Sequence, residues 1–455
     1  MSVTEYLEQN RERHLEELFE FLRIPSVSAK SEHAADTRRA ADWLRQRMLD
    51  AGLQAAELVE TSGHPIVIGE WRGAPGAPTL LVYGHYDVQP AEPLDEWRSP
   101  PFEPTVREGK LYARGSVDDK GQLYLHLKAV EAHIARNGRL PVNLVFVVEG
   151  EEEVGSPNLE NFLAANQERL RCDAVLISDT TMFAPGLPCI TIGLRGLAYM
   201  EVHVQGPAGD LHSGSYGGAV VNPANALAKI IARLHDEQGR VTIPGFYDAV
   251  REQTAEEKEM MQRLPFTEEH LREEVGAPAL GGEAGYGALE RIWARPTLDV
   301  NGLLSGYTGQ GAKTVLPARA MAKVSMRLVP DQSYRDIEQK FTAYVQQLVP
   351  AGVTVKVEAL HGGEPWYAAP SGPIFDAARR ALREGFGQEP VFIREGGSIP
   401  IVKAFEQTFG APALLIGFGL PGENAHAPNE WFSLENYDKG MRAMARLYEE
   451  LRVES

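Results

Sequence analysis

Short apolar runs along the chain end at polar residues, and this pattern predicts a sheet with polar groups at its strand ends. Runs at 79–82, 142–148 and 173–177 are typical of buried strands. The segment 121–136 carries apolar residues at helical spacing, and 413–418 adds a strand near the other end of the chain. Strand, helix and strand in succession predict an α/β domain whose mixed sheet is flanked by helices.

The middle of the chain follows a different pattern, which predicts a smaller, inserted α+β domain. Segments 199–205 and 319–328 alternate apolar and polar residues, as half-exposed strands do. The segment 222–235 has the spacing of an amphipathic helix and carries a proline at an early helix position. The fold class that we predict is therefore α/β, with two domains.

The predicted domain boundaries lie at glycines on either side of the insert. Residues 1–195 form the first part of the larger domain, 196–363 form the insert, and 364–455 form the second part. Glycine tolerates the backbone changes that a hinge requires. Within the insert, 248–287 is rich first in glutamate and then in glycine, and we expect an exposed excursion there.

Composition and charge narrow the class of protein. With 455 residues, of which 43% are hydrophobic, the chain is long enough for two hydrophobic cores. A formal net charge of -18 argues against nucleic acid as a partner. The sequence has no run of 18 apolar residues and no secretory signal, so we expect no membrane span and a cytoplasmic protein. Its 2 cysteines lack zinc-binding spacing, which disfavours structural zinc and a disulfide framework.

Five potential metal ligands follow the apolar runs, in the order His85, Asp118, Glu153, Asp179 and His426. Such a set can hold two divalent cations that share one carboxylate and activate a water molecule for hydrolysis. Each residue alone also has an ordinary explanation, such as a helix cap or a turn. Their recurrence after strands favours a metal site, because ligands bind at that edge of α/β sheets.

Two further acidic residues fit roles beside these ligands. Asp87 lies two residues after His85 and is placed to accept a hydrogen bond from the second imidazole nitrogen, which fixes the tautomer of a metal-bound histidine. The run 149–153 ends in adjacent glutamates, of which we assign Glu153 to the metal and Glu152 to the general base. A solvated acidic turn is the alternative interpretation of this run.

Five motifs together resemble the M20 family of metallopeptidases, and especially its cytosolic dipeptidase, carnosinase-like branch: YGHYDVQP, ARGSVDDKGQ, EGEEEVGS, ISDT and NAHAPNE. The resemblance covers nearly the whole chain. It implies a two-metal catalytic domain interrupted by a lid or dimerisation domain, and a homodimer formed through the insert. It also implies that His85 and Asp179 bind one cation and that Glu153 and His426 bind the other. Asp118 would bridge both.

The resemblance extends to substrate-binding residues in and after the insert. DLHSGSYGG contains His212, which by resemblance reaches the active site of the partner subunit and stabilises the oxyanion. GAKTVLPARAMAKVSMRL contributes Thr314 and Arg327, and REGGSIP contributes Ser398. A guanidinium suits a substrate carboxylate because it can bond both oxygens. A surface arginine is the alternative for Arg327.

The sequence therefore predicts a metallopeptidase that uses two metal ions to hydrolyse dipeptides or short peptides with a free C-terminal carboxylate. The expected ions are Zn²⁺, with Mn²⁺ or Co²⁺ as alternatives. An N-acyl amino acid amidohydrolase (deacylase) or a carboxypeptidase of the same family is the alternative function. A non-catalytic, metal-dependent peptide binder is a more distant one. Small peptides are the expected ligands, with no nucleic acid and no membrane as partners.

Overall fold

The computed structural model describes residues 2–397 and 399–452. These residues fall into two compact units. The first takes in Met1–Ile192, Ala368–Ile393 and Ala404–Ser455, and the second takes in Gly193–Tyr367 and Arg394–Lys403. The chain therefore leaves the first unit twice, once for the long insert and once for the short segment that begins at Arg394.

Helices and strands follow one another in short runs along the described chain. The helices are α1 (Val3–Gln9), α2 (Arg11–Leu22), α3 (Ala34–Asp50), α4 (Lys120–Asn137), α5 (Leu159–Ala165), α6 (Ser213–Tyr216), α7 (Pro223–Ile231), α8 (Ala255–Gln262), α9 (Glu268–Glu274), α10 (Ala288–Trp293), α11 (Tyr334–Gln347), α12 (Pro373–Phe386), α13 (Pro400–Phe409) and α14 (Leu434–Glu450). The strands are β1 (Ala55–Val59), β2 (Ile66–Trp71), β3 (Thr79–His85), β4 (Thr105–Arg107), β5 (Lys110–Tyr112), β6 (Asn143–Glu149), β7 (Ala174–Ile177), β8 (Cys189–Leu194), β9 (Gly196–Gln205), β10 (Leu211–His212), β11 (Thr297–Ser305), β12 (Val315–Leu316), β13 (Arg319–Leu328), β14 (Thr354–Gly363), β15 (Trp366–Tyr367), β16 (Val391–Glu395), β17 (Ala413–Leu415) and β18 (Trp431–Ser433). Short 3-10 helices cover Ser31–His33, Leu94–Glu96 and Glu152–Val154. Among the described residues, no helix has both the length and the apolar character that a membrane span requires.

A mixed sheet forms the centre of the first unit, with the strand order β1-β2-β6-β3-β7-β17-β8. The neighbours β6 and β3, β3 and β7, and β7 and β17 are parallel. β2 is antiparallel to both β1 and β6. The three strands predicted before residue 180 therefore lie side by side, with their carboxyl ends at one edge. The predicted fold class, an α/β domain with a mixed sheet and a smaller inserted α+β domain, is confirmed.

The strand predicted at 413–418 is shorter than its apolar run. β17 ends at Leu415, and the chain then passes close to another backbone segment. A Cβ atom built on Gly417 would lie 1.8 Å from the carbonyl oxygen of Thr180, so this approach requires glycine. Ile416 and Phe418 are nonetheless buried, which is why hydrophobicity alone extends the predicted strand beyond its true end.

α4 is buried along most of its length. All residues from Lys120 to His133 are buried, and the helix packs against α14, α1 and β3. A helix that is enclosed on all sides is part of the core rather than a cover over it. It ends at Gly138, whose φ of 66° lies in the left-handed region that glycine adopts without strain. The core therefore fixes the helix that directly follows Asp118.

His126 on α4 should give the fold a dependence on pH. The side chain is buried, its Nε2 lies 2.7 Å from the hydroxyl oxygen of Ser178, and burial lowers its pKa from 6.5 to about 3. As the pH falls below 6.5, the unfolded chain binds a proton here before the folded chain does. The free energy that neutral His126 contributes to stability is therefore present in full above pH 6.5. It is lost as the pH falls from 6.5 to about 3, at about 1.4 kcal/mol per pH unit for one proton. We expect the free energy of unfolding of His126→Gln to fall less steeply with decreasing pH than that of the wild type.

Urea unfolding from about pH 7 to about pH 4 measures this difference in slope. A chelator present throughout keeps the loss of metal ions out of the comparison. His270→Gln is the matched control, because His270 is an exposed histidine on α9. Parallel curves for the wild type and His126→Gln would contradict the assignment of this pH dependence to His126.

An antiparallel sheet organises the second unit, with the strand order β11-β13-β9-β14. Side chains of β9 alternate between buried and half-exposed, as expected for a strand with one face on a core. That core includes Leu227 of α7 and Phe341 of α11. α7 covers most of the helix predicted at 222–235, and Asn222 caps it by accepting the N–H of Ala224 at 2.8 Å.

The segment predicted as an exposed excursion, 248–287, contains α8 and α9 and belongs to the second unit. Most of its side chains are exposed. Glu257 of α8 is an exception, because it is buried and forms an ion pair with Arg394 on β16. Thr254 and Glu257 also form a capping box at the start of α8. The excursion is therefore attached to its unit through a buried charge pair.

Candidate metal centre

Five segments bring the predicted ligands to one edge of the sheet in the first unit. His85 is the last residue of β3, and Asp118 lies just before α4. Glu153 is in the 3-10 helix after β6, and Asp179 follows β7 by two residues. His426 lies in the loop between β17 and β18. Because β6, β3, β7 and β17 run in the same direction, their carboxyl ends share an edge.

Asp118 lies between the two histidines. Its Oδ1 is 3.1 Å from Nε2 of His85, and its Oδ2 is 2.9 Å from Nε2 of His426. Oδ2 of Asp179 is 3.8 Å from the same nitrogen of His85, and Oε2 of Glu153 is 3.3 Å from that of His426. The donor atoms therefore form two groups, each within 4.8 Å, and Asp118 belongs to both.

The donor set fits a pair of divalent cations. His85 is fully buried, yet its Nε2 makes no well-aligned hydrogen bond even to the Asp118 oxygen 3.1 Å away, whereas buried polar atoms normally have a partner. Carboxylates that converge this closely repel one another unless positive charge offsets them. Imidazole and carboxylate donors suit Zn²⁺, Mn²⁺ and Co²⁺. A cation held between these donors would coordinate the imidazole nitrogen and offset the repulsion.

Two pKa shifts in the cluster follow from its burial and from its carboxylates. Burial raises the pKa of Asp179 well above its usual range. Contacts with Asp118 and Glu153 raise the pKa of His426 to about 10, so the carboxylates stabilise a positive charge on that imidazole. The same carboxylates would stabilise a cation in its place.

Asp87 supports both a histidine and the acidic turn. Nδ1 of His85 is 3.1 Å from the backbone carbonyl oxygen of Asp87 and 3.4 Å from its carboxylate Oδ1. Because a carbonyl oxygen can only accept, Nδ1 carries a proton. The carboxylate accepts the backbone N–H groups of Glu152 at 3.3 Å and Glu153 at 3.1 Å, and the hydroxyl of Ser28 at 2.6 Å. The main chain of Asp87 therefore orients the imidazole, while its carboxylate holds the turn.

Glu152 lies in the same 3-10 helix as Glu153. Burial raises the pKa of Glu152 to about 7, and the neighbouring carboxylates of Glu153 and Asp118 contribute to the shift. A glutamate in this range can accept and release a proton near neutral pH. The turn thus places a potential ligand and a potential base side by side.

Three of the substrate residues implied by the family resemblance lie in the second unit: His212, Thr314 and Arg327. His212 and Thr314 are exposed and close in the second unit, because β10 pairs with β12 and the N–H of Ser213 donates to the carbonyl oxygen of Thr314 at 3.1 Å. Arg327 is half-buried on β13. Ser398 lies outside the described residues.

The sequence model of peptidase family M20/M25/M40 matches residues 81–450. This stretch includes both ligand groups and the segments that carry His212, Thr314 and Arg327. The chain belongs to the M20 peptidase family.

Relatives of this M20 peptidase and solved structures agree with the family match. The Cys-Gly metallodipeptidase of Schizosaccharomyces pombe is 34% identical over 462 residues, which cover 98% of this chain and 97% of the relative. The crystal structure of human carnosine dipeptidase 1 has 30% identity and a TM-score of 0.83, and the match covers 99% of this chain and 98% of that one. An M20 metallo-carboxypeptidase from Sulfolobus solfataricus has 35% identity and a TM-score of 0.86, over 96% of this chain and 99% of that one. The predictions of the family and of a metallopeptidase are confirmed.

Gln89 contacts the predicted ligand Glu153 but is not among the residues that the motifs singled out. Its Nε2 donates to Oε2 of Glu153 at 2.8 Å, and its backbone N–H donates to Oε1 at 3.1 Å. In this M20 peptidase, Gln89 therefore holds both carboxylate oxygens of Glu153. The available signal was its place in the YGHYDVQP motif, four residues after His85.

Arg195 is a second residue with a local role that the sequence alone did not reveal. Its Nε donates to the carbonyl oxygen of Gly396 at 3.1 Å, and its backbone N–H donates to that of Gly397 at 3.1 Å. Burial and the positive charge of Arg327 lower the pKa of Arg195 to about 10. In the sequence it marked only a predicted domain boundary, whereas in the second unit it holds the glycine pair of the REGGSIP segment.

Proposed function

We propose that this chain is a dinuclear, metal-dependent dipeptidase. The observation that carries the proposal is the position of Asp118, whose oxygens lie 3.1 and 2.9 Å from two different histidines. One carboxylate is therefore placed to be shared by two cations. The similarity to a Cys-Gly metallodipeptidase and to carnosine dipeptidase 1 supports dipeptides as the substrate class.

The two ligand groups would each hold one ion. His85 and Asp179 serve one ion, Glu153 and His426 serve the other, and Asp118 serves both. Zn²⁺ is the ion that we propose first, with Mn²⁺ and Co²⁺ as alternatives for this donor set. Such ions, when bound, polarise the carbonyl group of the scissile bond and lower the pKa of water.

Glu152 acts as the general base in this proposal. It accepts a proton from the attacking water, whose oxygen forms the new bond to the carbonyl carbon. As the carbon–nitrogen bond breaks, Glu152 passes this proton to the leaving amine. The fixed geometry of its turn supports this role, because the backbone N–H groups of Glu152 and Glu153 both donate to Asp87.

The substrate's C-terminal carboxylate binds to Arg327, with Thr314 and Ser398 as hydrogen-bonding partners. A guanidinium can donate to both carboxylate oxygens at once, which distinguishes a free C-terminus from an amide. His212 of the partner subunit stabilises the oxyanion that forms at the scissile carbonyl. The exposure of His212 on its own unit is compatible with such a role.

We expect Arg327→Met to lower kcat/KM for a dipeptide by about 100-fold, the value of one or two lost charged hydrogen bonds. The same variant should hydrolyse a C-terminally amidated dipeptide as fast as the wild type does. Arg319→Met is the matched control, because Arg319 lies on the same strand, is exposed and bonds to Gln205. Equal losses on the free and amidated substrates would show that Arg327 does not recognise the carboxylate.

A homodimer formed through the second unit is part of the proposal. β11 is one of the two edge strands of its sheet, and Val300, Leu303 and Leu304 on it are 36%, 62% and 58% exposed. Apolar side chains on an edge strand are typical of a surface that pairs with another chain. This strand is therefore where we place the contact between subunits.

We expect Leu303→Asp to separate the subunits and to lower the activity per chain, because His212 would no longer reach a partner's active site. Sedimentation velocity and initial rates on the same sample measure both effects. Val275→Asp serves as control, since Val275 is 59% exposed but lies outside the edge strand. A monomer with full activity would exclude the proposed role of His212.

Substrate comparison tests the function itself. Rates on a dipeptide, its N-acetylated form, a tripeptide and an N-acyl amino acid are measured with added Zn²⁺ or Mn²⁺. A dipeptidase cleaves the dipeptide and leaves the blocked form intact, and a chelator abolishes this activity. Absence of dipeptide hydrolysis by the metal-loaded wild type would contradict the proposal. Preference for the N-acyl amino acid would identify a deacylase instead.

A carboxypeptidase is the second candidate function. The metallo-carboxypeptidase from Sulfolobus solfataricus shares 35% identity with this chain and has a TM-score of 0.86. Such an enzyme would release the last residue of the tripeptide and would tolerate the N-acetyl group. The same set of substrates therefore separates the two candidates.

We also propose a cytoplasmic location for the enzyme, with peptides rather than nucleic acids as ligands. Cys172 is a free, buried cysteine, and burial raises the pKa of its thiol to about 12. Unoxidised thiols fit a reducing compartment. The formal net charge of -18 would repel nucleic acid. Recovery of the protein outside the cytoplasm in cell fractionation would contradict this location.

A further inference from the structure

A buried ion pair joins the loop before α4 to the loop that carries His426. Nη1 of Arg114 lies 2.7 Å from Oε2 of Glu430, and the two residues are 1% and 0% exposed. Neither residue belongs to a ligand group. Buried charges are costly unless they are paired and hydrogen-bonded, so the other bonds of this pair indicate what it holds in place.

The carboxylate of Glu430 holds the backbone that leads to Asp118. Its Oε2 accepts the N–H of Gly115 at 2.9 Å, and its Oε1 accepts the N–H groups of Val117 at 3.0 Å and Asp118 at 3.2 Å. Three successive bonds of this kind fix the path of the loop. The main chain of the shared ligand is therefore tied to Glu430.

The guanidinium of Arg114 holds the other loop. Its Nη2 donates to the carbonyl oxygen of Ala427 at 3.2 Å and to that of Pro90 at 3.3 Å. Ala427 is the residue directly after His426. One side chain thus bonds both to Glu430 and to the neighbour of a proposed ligand.

The loop around His426 requires support because its backbone is strained. Asn424, His426 and Asn429 have φ values of 58°, 64° and 63°. Residues other than glycine rarely adopt this left-handed region, and they persist there only when the surrounding structure holds them. The bond from Arg114 to Ala427 holds the middle of this strained stretch, and Glu430, the residue that directly follows it, is anchored by the N–H of Gly115.

We propose that Arg114 and Glu430 are positioning residues that set His426 opposite Asp118 and thereby determine the affinity for the ion held with Glu153. The inference rests on the proposed function for the presence of that ion. The pair would act on the metal centre through backbone groups beside His426 and Asp118, without a bond to either ligand side chain.

The two ion sites should depend unequally on this pair. His85 is the last residue of β3 and Asp179 lies two residues after β7, and the ladder of the sheet holds these two strands in register. His426 lies in a loop outside that ladder. Asp118 is shared, so both sites lose some order when the pair is broken, but only one of them also loses its histidine. The site with His426 is therefore the weaker one in a variant.

Glu430→Gln tests the proposal, because glutamine keeps the shape and one acceptor oxygen but removes the charge that Arg114 pairs with. Zn²⁺ is titrated into the metal-free full chain and followed by calorimetry. We expect one ion to bind as in the wild type and the other to bind about 10- to 100-fold more weakly, as for other residues that orient metal ligands. A parallel Co²⁺ titration should show an altered visible absorption for the second ion only.

Glu283→Gln is the matched control for breaking a buried ion pair. Glu283 and Arg295 are also buried, with two contacts of 2.8 Å, but they lie in the second unit. We expect this variant to be less stable and to keep two ions at wild-type affinity. If it weakens one ion as Glu430→Gln does, the effect is a general loss of stability and the proposal is wrong.

Arg114→Lys covers the case in which Glu430→Gln does not fold. Lysine keeps the positive charge, but its single ammonium group cannot span both Glu430 and Ala427 as the guanidinium does. Two ions at wild-type affinity in either folded variant would overturn the proposal. A wild type that binds fewer than two ions would instead contradict the proposed function. If the wild type binds two ions but does not hydrolyse dipeptides, the proposed function is wrong, and the titration still decides whether Arg114 and Glu430 set the affinity for the ion at His426.

Discussion

We expect Glu152→Gln to lower kcat by about 10³-fold while the protein keeps its bound metal. Glutamine has nearly the same shape as glutamate but cannot accept the proton of the attacking water, and general acid–base catalysis typically contributes about 10²- to 10⁴-fold. The proposed ligands are unchanged. The turn also stays in place, because Asp87 holds it through the backbone N–H groups of Glu152 and Glu153. Steady-state kinetics and metal analysis of one preparation measure both quantities.

Glu151→Gln is the control for a charge change in the same turn. Glu151 is buried and accepts the side-chain N–H of Asn158 at 2.6 Å, and it belongs to neither ligand group. We expect this variant to stay close to the wild-type rate. A wild-type kcat for Glu152→Gln would exclude Glu152 as the base. Loss of metal from that variant would show that Glu152 contributes to metal binding instead.

Asp118→Asn should have the largest effect on metal content, because Asp118 is the only residue in both ligand groups. Its two oxygens lie near different histidines, and an amide offers one oxygen without negative charge. We expect fewer than two tightly bound ions per chain and a fall in kcat/KM on the order of 10³-fold or more. Calorimetric titration of the metal-free protein and dipeptide hydrolysis measure the two effects.

His85→Ala separates a shared ligand from one that serves a single ion. This variant should lose one ion and keep the ion that Asp118, Glu153 and His426 would hold. Asp173→Asn is a remote control, because Asp173 accepts the N–H of Thr79 at 2.8 Å at the opposite end of β3. If Asp118→Asn binds two ions as tightly as the wild type, the carboxylate is not shared and the proposed mechanism fails.

The proposed ligands could be grouped from the sequence because polar residues directly follow apolar strands. β3, β6 and β7 were recognisable from short buried runs, and His85, Glu153 and Asp179 stand at or just after their carboxyl ends. Strand direction then brings them together, since neighbouring parallel strands end at one edge. Asp118 and His426 lie in loops, where periodicity carries no information. Their assignment depended on order along the chain and on the family resemblance.

The contacts that hold these ligands could not be predicted, because they join distant parts of the chain. Glu430 and Asp118 are 312 positions apart, and Gln89 and Glu153 are 64 positions apart. Hydrophobic periodicity is a local signal and does not pair such residues. Asp87 shows the same limit, although it lies only two residues from His85 in the sequence. Its proximity to His85 was visible in the sequence, whereas the direction of its carboxylate follows from amides more than 60 residues away.

The end of β17 shows how a buried loop can imitate a strand. Ile416 and Phe418 are as buried as strand residues, so their hydrophobicity predicted continued pairing. The close approach of Gly417 to Thr180 ends the strand, and only three-dimensional packing reveals that approach. The same loop leads on to His426, so the early end of β17 is part of how the chain reaches the candidate metal centre.

The amino-terminal segment helps to position the candidate site, because the hydroxyl of Ser28 donates to the carboxylate of Asp87. Ser26 adds a second anchor, because its Oγ donates to the carbonyl oxygen of Tyr86 at 2.6 Å. Both serines precede the stretch 81–450 that the family model matches. A fragment trimmed to that stretch would retain every proposed ligand and lose the hydrogen bonds to Tyr86 and Asp87. We therefore expect a fragment limited to 81–450 to be less active than the full chain.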